Sequence, residues 1–192
     1  MTTAFGIVPL LGSREEGLEL LARVASGSSS ALAAVYDAHA DRVYAFARRL
    51  VGDDAAAEDL VHDVFLELPS AAARYRGDAS VRTFLLSIAQ NCSRHHVRAA
   101  ARRRAMLARF EDEPRAPASP PDHEAERRQL ADRLQRALDA LALDQRIAFV
   151  LCEVEEQTSA EAAAIVGAPE GTVRTRLFHA KKKLREMLED KR

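Results

Sequence analysis

The sequence predicts an all-α protein: two small helical domains joined by a proline-rich linker, the C-terminal one a helix-turn-helix. Three observations predict it. Apolar residues recur at three- and four-residue steps through most of the chain, without the alternation that a half-buried strand requires. The residues are 47% hydrophobic and 30% charged, but only 5% aromatic and without Trp, a balance rich in Ala, Leu, Arg and Glu, which lose little on entering a helix. Finally, four prolines between Glu113 and Pro121 (EPRAPASPP) interrupt every helical pattern and read as an extended joint. The division this predicts is an N-terminal domain over 14–104, a linker over 105–128 and a C-terminal domain over 129–192.

Element by element, Met1 to Gly12 reads as a loose terminus and Gly27 to Ser30 as a turn. Leu32, Val35, Tyr36, His39, Val43, Phe46, Ala47 and Leu50 then form one stripe of a helix that stops at Gly52. A second helix starts at Asp53 or Asp54, with Leu60, Val61, Val64, Phe65 and Leu68 on one face. Pro69 lacks an amide donor and clashes with the preceding turn, so it is expected to end or kink this helix. Arg74 to Asp78 make a polar turn. The helix after it, from about Ser80 past Arg98, points Val81, Leu85, Ile88, Ala89 and Cys92 inward. Beyond the linker come Leu130, Leu134, Ala137, Leu138 and Leu141, then Ile147, Val150, Leu151 and Val154. A short Ala-rich helix, a turn at Gly167 and a final helix over 170–189 complete the chain.

The formal net charge is −1 and the pI about 6.6, so bulk charge gives no case for nucleic-acid binding. The charges are nevertheless segregated. Acids crowd 53–67 with no Lys or Arg among them, whereas 94–104 and 174–185 are basic without an acid. Such patches favour encounter with partners of opposite charge. Cys92 and Cys152 are the only cysteines, far apart and outside metal or redox spacing, which points to reduced thiols. With no signal-peptide pattern and no long apolar run, the expectation is a soluble cytoplasmic protein.

Thr158 to Leu184 (TSAEAAAIVGAPEGTVRTRLFHAKKKL) has the layout of a helix-turn-helix. Thr158 and Glu161 have capping-box spacing. Ala162, Ala163, Ile165 and Val166 make a slim first helix, Gly167 supplies a left-handed turn residue, and Pro169 presets the second helix. Projected at about 100° per residue, that helix buries Val173, Leu177, Ala180 and Leu184. It presents Thr172, Thr175, Phe178, His179 and Lys182, flanked by Arg174, Arg176 and Lys181, as a surface for phosphates and base edges. Phe178 is suited to a thymine methyl.

In the N-terminal half, Asp59, Asp63 and Glu67 at four-residue spacing make an acidic stripe opposite the buried face, suited to a basic helical partner. On the next helix Thr83, Ser87, Gln90, Asn91, Arg94 and Arg98 line the outer face, hydrogen-bonding groups ending in arginines. Within the turn before it, Gly77 permits close backbone approach and Tyr75 offers a ring for stacking.

These segments resemble the σ-70 family of bacterial RNA polymerase σ factors, specifically the extracytoplasmic-function type. Ala57 to Leu66 (AEDLVHDVFL) is similar to the family helix A-E-D-L-V-Q-E-V-F-L. Arg74 to Arg104 is similar to the family's −10 reader, with R-G-D leading into T-W/F-L-x-x-I-A-x-N. Ala137 to Val154 with Gly171 to Leu177 (GTVRTRL) is similar to its −35 reader. His62 stands for the usual glutamine, Pro69 for a frequent aromatic, Phe84 for a frequent Trp and Ala142 for a usual proline.

The resemblance implies that Asp59, His62, Asp63 and Glu67 dock on core RNA polymerase. It implies that Arg74, Tyr75, Arg76, Gly77, Asp78 and Ser80, with Thr83 to Arg98, hold the melted −10 strand of promoter DNA. Thr172 to Lys182 would read the −35 duplex. It further implies control by an anti-σ factor, commonly membrane-tethered, and no cofactor, metal, catalytic residue or small-molecule substrate. The acidic linker residues Glu111, Asp112, Glu113, Asp122 and Glu124 would thread toward the polymerase channels.

Two other classes are weighed against this. An enzyme needs a converging catalytic set, and no P-loop, Gly-x-Gly-x-x-Gly or Gly-x-Ser-x-Gly pattern occurs. Cys92, His95 and His96 fall short of four zinc ligands. A conventional dimeric helix-turn-helix regulator with a helical sensor domain would bind duplex operators without polymerase, which a pull-down with core polymerase discriminates.

Overall fold

A computed structural model of the chain describes residues 14–107 and 123–189. They are helical: α1 (Arg14–Ala25), α2 (Ser29–Val51), α3 (Asp54–Ala72) and α4 (Val81–Leu107), then α5 (His123–Asp139), α6 (Leu143–Phe149), α7 (Ser159–Val166) and α8 (Glu170–Glu189). A π-helical turn, Val150–Val154, continues α6. The prolines at 114–121 and the acids Glu111, Asp112, Glu113 and Asp122 lie outside the described residues, as does the side chain of Glu124. No described helix is long and apolar enough to cross a membrane.

Local chemistry sets the helix ends. The Ser28 hydroxyl accepts from Ala31 N and caps α2, which stops where Gly52 turns left-handed at φ 72°. Asp53 caps α3 by accepting from Ala56 N at 2.8 Å, an arrangement that satisfies one orphan donor of the first turn. Ser80 does the same for α4, accepting from Thr83 N at 3.1 Å. Pro69 does not end α3, the first of the two expected outcomes: the helix runs on to Ala72 with the proline inside it. The proline removes one amide donor, but Leu68, Ala71 and Ala72 around it are buried, and that packing holds the final turn against the lost bond. α1, which the apolar pattern left unassigned, contributes buried Leu21 and Val24.

α1 to α4 pack around Leu21, Phe46, Leu50, Leu60, Leu68, Leu85 and Leu86, all essentially without solvent contact. Each such side chain contributes about 1.5–3 kcal/mol of transfer free energy. In the C-terminal half Ala137, Leu138, Leu141, Ala180 and Leu184 form a small cluster of their own, whereas Ile147, Val150, Leu151, Ile165 and Val173 join the N-terminal core. The helices on either side of the linker thus share one continuous apolar cluster. Across it, the buried Arg146 side chain of α6 donates to the Leu50 carbonyl of α2.

Candidate partner and nucleic-acid interfaces

On α3, Asp59, His62, Asp63 and Glu67 are all exposed. They are not equivalent. Asp63 faces α4, where the buried His96 ring lies 2.7 Å from its carboxylate, and Glu67 lies 3.9 Å from Arg74. Asp59 has no ion pair among the described residues. Sequence reading missed Leu66, which is 65% exposed and projects between His62 and Asp59 at about 100° per residue. A large apolar side chain amid charges is a natural interface anchor.

The loop between α3 and α4 is preformed. The Tyr75 hydroxyl donates to the Ala79 carbonyl, its ring rests 4.9 Å from that of Phe84, and Gly77 takes φ 80°. Burial pushes the Tyr75 hydroxyl pKa up, so it remains a neutral donor. With Arg76, Asp78, Thr83 and Ser87 this loop walls a cleft of about 230 Å³. Arg74, Arg76, Asp78 and Ser80 are exposed, as are Asn91, Arg94 and Arg98 farther along α4. Gln90 differs. Expected on the outer row, it is only 7% exposed and donates to Asn91.

The capping box and the glycine turn expected between α7 and α8 are present. Thr158 and Glu161 complete a capping box, and the Glu161 carboxyl is held below its ordinary pKa chiefly by the Thr158 amide. Gly167 takes φ 65°. Val173, Ala180 and Leu184 are buried and Leu177 half-buried, while Thr175, Phe178, His179 and Lys182 stand exposed. Phe178, 64% exposed, meets His179 edge-on. The cations are less free than their spacing suggests: Arg174 pairs with Glu170, Lys181 with Glu153 and Lys182, at 3.9 Å, with Glu186. Lys183 donates to the Ala140 carbonyl. Arg176, with Thr172, is half-buried and bonded to Asp144.

Where the halves meet, the π turn aims Glu155 back at α4. Only 4% exposed, Glu155 accepts from Arg82 at 2.5 Å and lies 3.9 Å from Arg42. His39 sits beside these arginines; burial first, then Arg42 and Arg82, lowers its pKa, and its Nε2 finds no hydrogen bond among the described residues. Since the packed chain disfavours the imidazolium, this site contributes full stability above the unfolded value near 6.5 and loses it as pH falls below that. The thermal midpoint should therefore drop on acidification, and His39→Gln should flatten that slope. An unchanged slope would remove His39 from the pH response.

The fold is thus all-α, a helical bundle whose last two helices meet at a glycine turn in a helix-turn-helix layout. The Sigma-70 region 2 family matches residues 35–103 and the Sigma-70 region 4 family residues 131–184. The RNA polymerase sigma factor CarQ of Myxococcus xanthus is 34% identical over 167 residues, covering 86% of this chain and 94% of that one. The ECF RNA polymerase sigma factor SigE of Mycolicibacterium smegmatis is 38% identical over 153 residues, which cover 78% of this chain and 58% of SigE. The chain thus spans little more than half the length of that relative.

Among solved structures, CnrH in complex with the cytosolic domain of CnrY superposes with a TM-score of 0.67 at 24% identity, covering 92% of this chain and 99% of that one. The sigma factor RpoE in complex with the anti-sigma factor NepR from Bartonella quintana gives 0.56 at 26%, covering 80% and 93%. The chain belongs to the extracytoplasmic-function σ factors of the σ-70 family.

Proposed function

We propose that this σ factor docks on core RNA polymerase through the α3 stripe, holds the melted −10 strand with the 74–80 loop and α4, and reads the −35 duplex with α8. The observation that carries this reading is the pairing, in one chain, of an exposed acidic stripe around Leu66 with a helix, α8, on which Thr175, Phe178, His179 and Lys182 stand exposed. Two of the relatives with solved structures were captured with an anti-sigma factor or the cytosolic domain of CnrY. That supports inhibition of this chain by such a partner. A cytoplasmic site of action follows from the same role.

Core polymerase loaded with this chain should select −35 sequences from randomised duplex DNA. His179→Ala and Thr175→Ala should change the selected bases, at about 1–3 kcal/mol for a good contact. Lys181 and Lys183 are held at 2.7 Å by groups outside α8, whereas the partner of Lys182, Glu186, lies 3.9 Å away on the same helix, so Lys182 is the better phosphate contact. Lys182→Ala should weaken all sequences alike and make the salt slope shallower by about 0.9. Failure to assemble with core, or selected sequences identical for wild type and both reading variants, would overturn the reading.

A further inference from the structure

α1 stands outside residues 35–103, to which the Sigma-70 region 2 family matches, yet its first turns pack on the 74–80 loop. Two glycines set that packing. A Cβ on Gly17 would come within 2.9 Å of Val81 Cγ2, and Val81, the first residue of α4, is buried. A branched side chain held by the core has little room to give, so α1 approaches α4 as closely as glycine alone permits. On the loop side, a Cβ on Gly77 would meet the methyls of Leu18 at 3.8 and 3.9 Å, which sets Leu18 against the loop backbone. Leu18 nevertheless stays 40% exposed. Arg14 is one helical turn back, on the same face of α1. The Tyr75 hydroxyl pKa, pushed up by burial, is drawn back by the nearby Arg14 charge.

We propose that α1 is a further element of the −10 site, in which Arg14 contacts a phosphate of the unpaired strand and Leu18 holds the loop backbone at Gly77. That role rests on the assignment of the 74–80 loop to the strand. Arg14 and Arg76 are exposed and have no ion pair among the described residues, whereas Arg74 lies 3.9 Å from Glu67. A strand stacked at Tyr75 therefore meets free guanidinium groups from two elements, the loop and α1, and phosphate contacts of this kind fix its register. The helix gains nothing from Arg14 where it stands, because positive charge at a helix N-terminus opposes the dipole. A residue that breaks a local rule points to a role outside folding. The neighbouring acids do not cancel it: at about 100° per residue Leu18 projects within about 40° of Arg14, Glu15 about 100° away and Glu16 nearly opposite.

The test uses core polymerase loaded with the full chain and a bubble duplex whose unpaired strand has been selected from a random pool by the wild-type complex. Arg14→Ala should keep its helicity and thermal midpoint and compete normally for core. It should bind the bubble about fivefold more weakly at about 0.1 M salt, with a salt slope shallower by about 0.7, since one single-strand phosphate contact carries that slope over the decade below about 1 M. Arg14→Lys should recover most of the loss, because an ammonium also binds phosphate as a point charge. Arg23→Ala, which removes the same charge from the exposed last turn of α1, should bind like wild type. Leu18→Ala should weaken bubble binding about threefold with the slope unchanged, as if the loop held its competent shape a third as often, and Leu18→Met should restore it. On a fully paired duplex carrying only the −35 sequence, every one of these variants should match wild type.

Unchanged affinity and slope in Arg14→Ala, an equal loss in Arg23→Ala, or an equal loss on the paired duplex overturns the phosphate contact. Unchanged bubble binding by Leu18→Ala overturns the hold on the loop. Tyr75→Ala judges the reading beneath both: normal bubble binding by that variant overturns the −10 assignment of the loop, whereas impaired binding by Tyr75→Ala beside normal binding by the α1 variants overturns the part of α1 alone.

Discussion

Arg146→Met is expected to lower the unfolding free energy by about 3–5 kcal/mol, the cost of removing one partner from a buried ion pair. Arg146 is 3% exposed and its guanidinium donates to the Asp139 carboxylate and the Asp139 carbonyl, both at 2.8 Å, and to the Leu50 carbonyl. Leu50 lies in the last turn of α2, where helix carbonyls have no partner of their own kind. Arg146 is therefore a helix cap reaching across from the other half of the chain. Methionine keeps the apolar stem and removes all three bonds. In urea the midpoint should fall with the slope unchanged, since the surface exposed on unfolding stays the same. Arg146→Lys should recover only part of the loss, because an ammonium lacks the planar fork that serves several acceptors at once. A loss below about 1 kcal/mol, the range of an exposed pair, would show that Arg146 is not a stabilising link between Asp139 in its own half and Leu50 in the other.

Most helices after α1 were legible because they hide an apolar stripe, and several carry their own end signals. Gly52, Gly167 and the Thr158–Glu161 box act within a few residues of where they stand in sequence, so pattern alone reaches them. The seam between the halves was not legible. Its contacts join residues 50, 73 and 96 positions apart, Arg94 with Asp144, Arg82 with Glu155 and Arg146 with Leu50, and nothing local in Asp144 or Glu155 marks either as a bridge. The π turn was equally hidden, because Val150 and Leu151 are buried in it as they would be in an α-helix. Pro69 as a helix end failed for a related reason. A breaker rule weighs one lost bond and one clash, whereas the buried neighbours that outweigh them come from other helices. On α8 projection matched the exposure of Thr175, Phe178, His179 and Lys182 but not that of Thr172, which is half-buried, and it says nothing of which lysines are tethered; Glu153 and the Ala140 carbonyl, far back in sequence, settle that for Lys181 and Lys183.

The His96–Asp63 contact changes which substitutions isolate docking. Asp63→Arg would remove the partner of the buried His96 and confuse folding with assembly. Asp59→Arg with Glu67→Arg leaves that contact alone, and both positions are exposed. If a basic helical partner lies along the stripe, the reversal turns two attractions into like-charge contacts, which cost several kcal/mol. Affinity for core polymerase should fall by about a hundredfold or more, with helicity and thermal midpoint unchanged. Most of the loss should appear in the association rate at low salt and shrink as salt screens the field. Leu66→Ser should act differently. An apolar anchor governs how long a complex lasts, so this variant should mainly speed dissociation and show little salt dependence. Competition between each variant and wild type for limiting core polymerase, at two salt concentrations, reads both effects. Normal competition by the charge-reversed chain would remove the stripe from docking, and normal competition by Leu66→Ser as well would move the polymerase contact off α3.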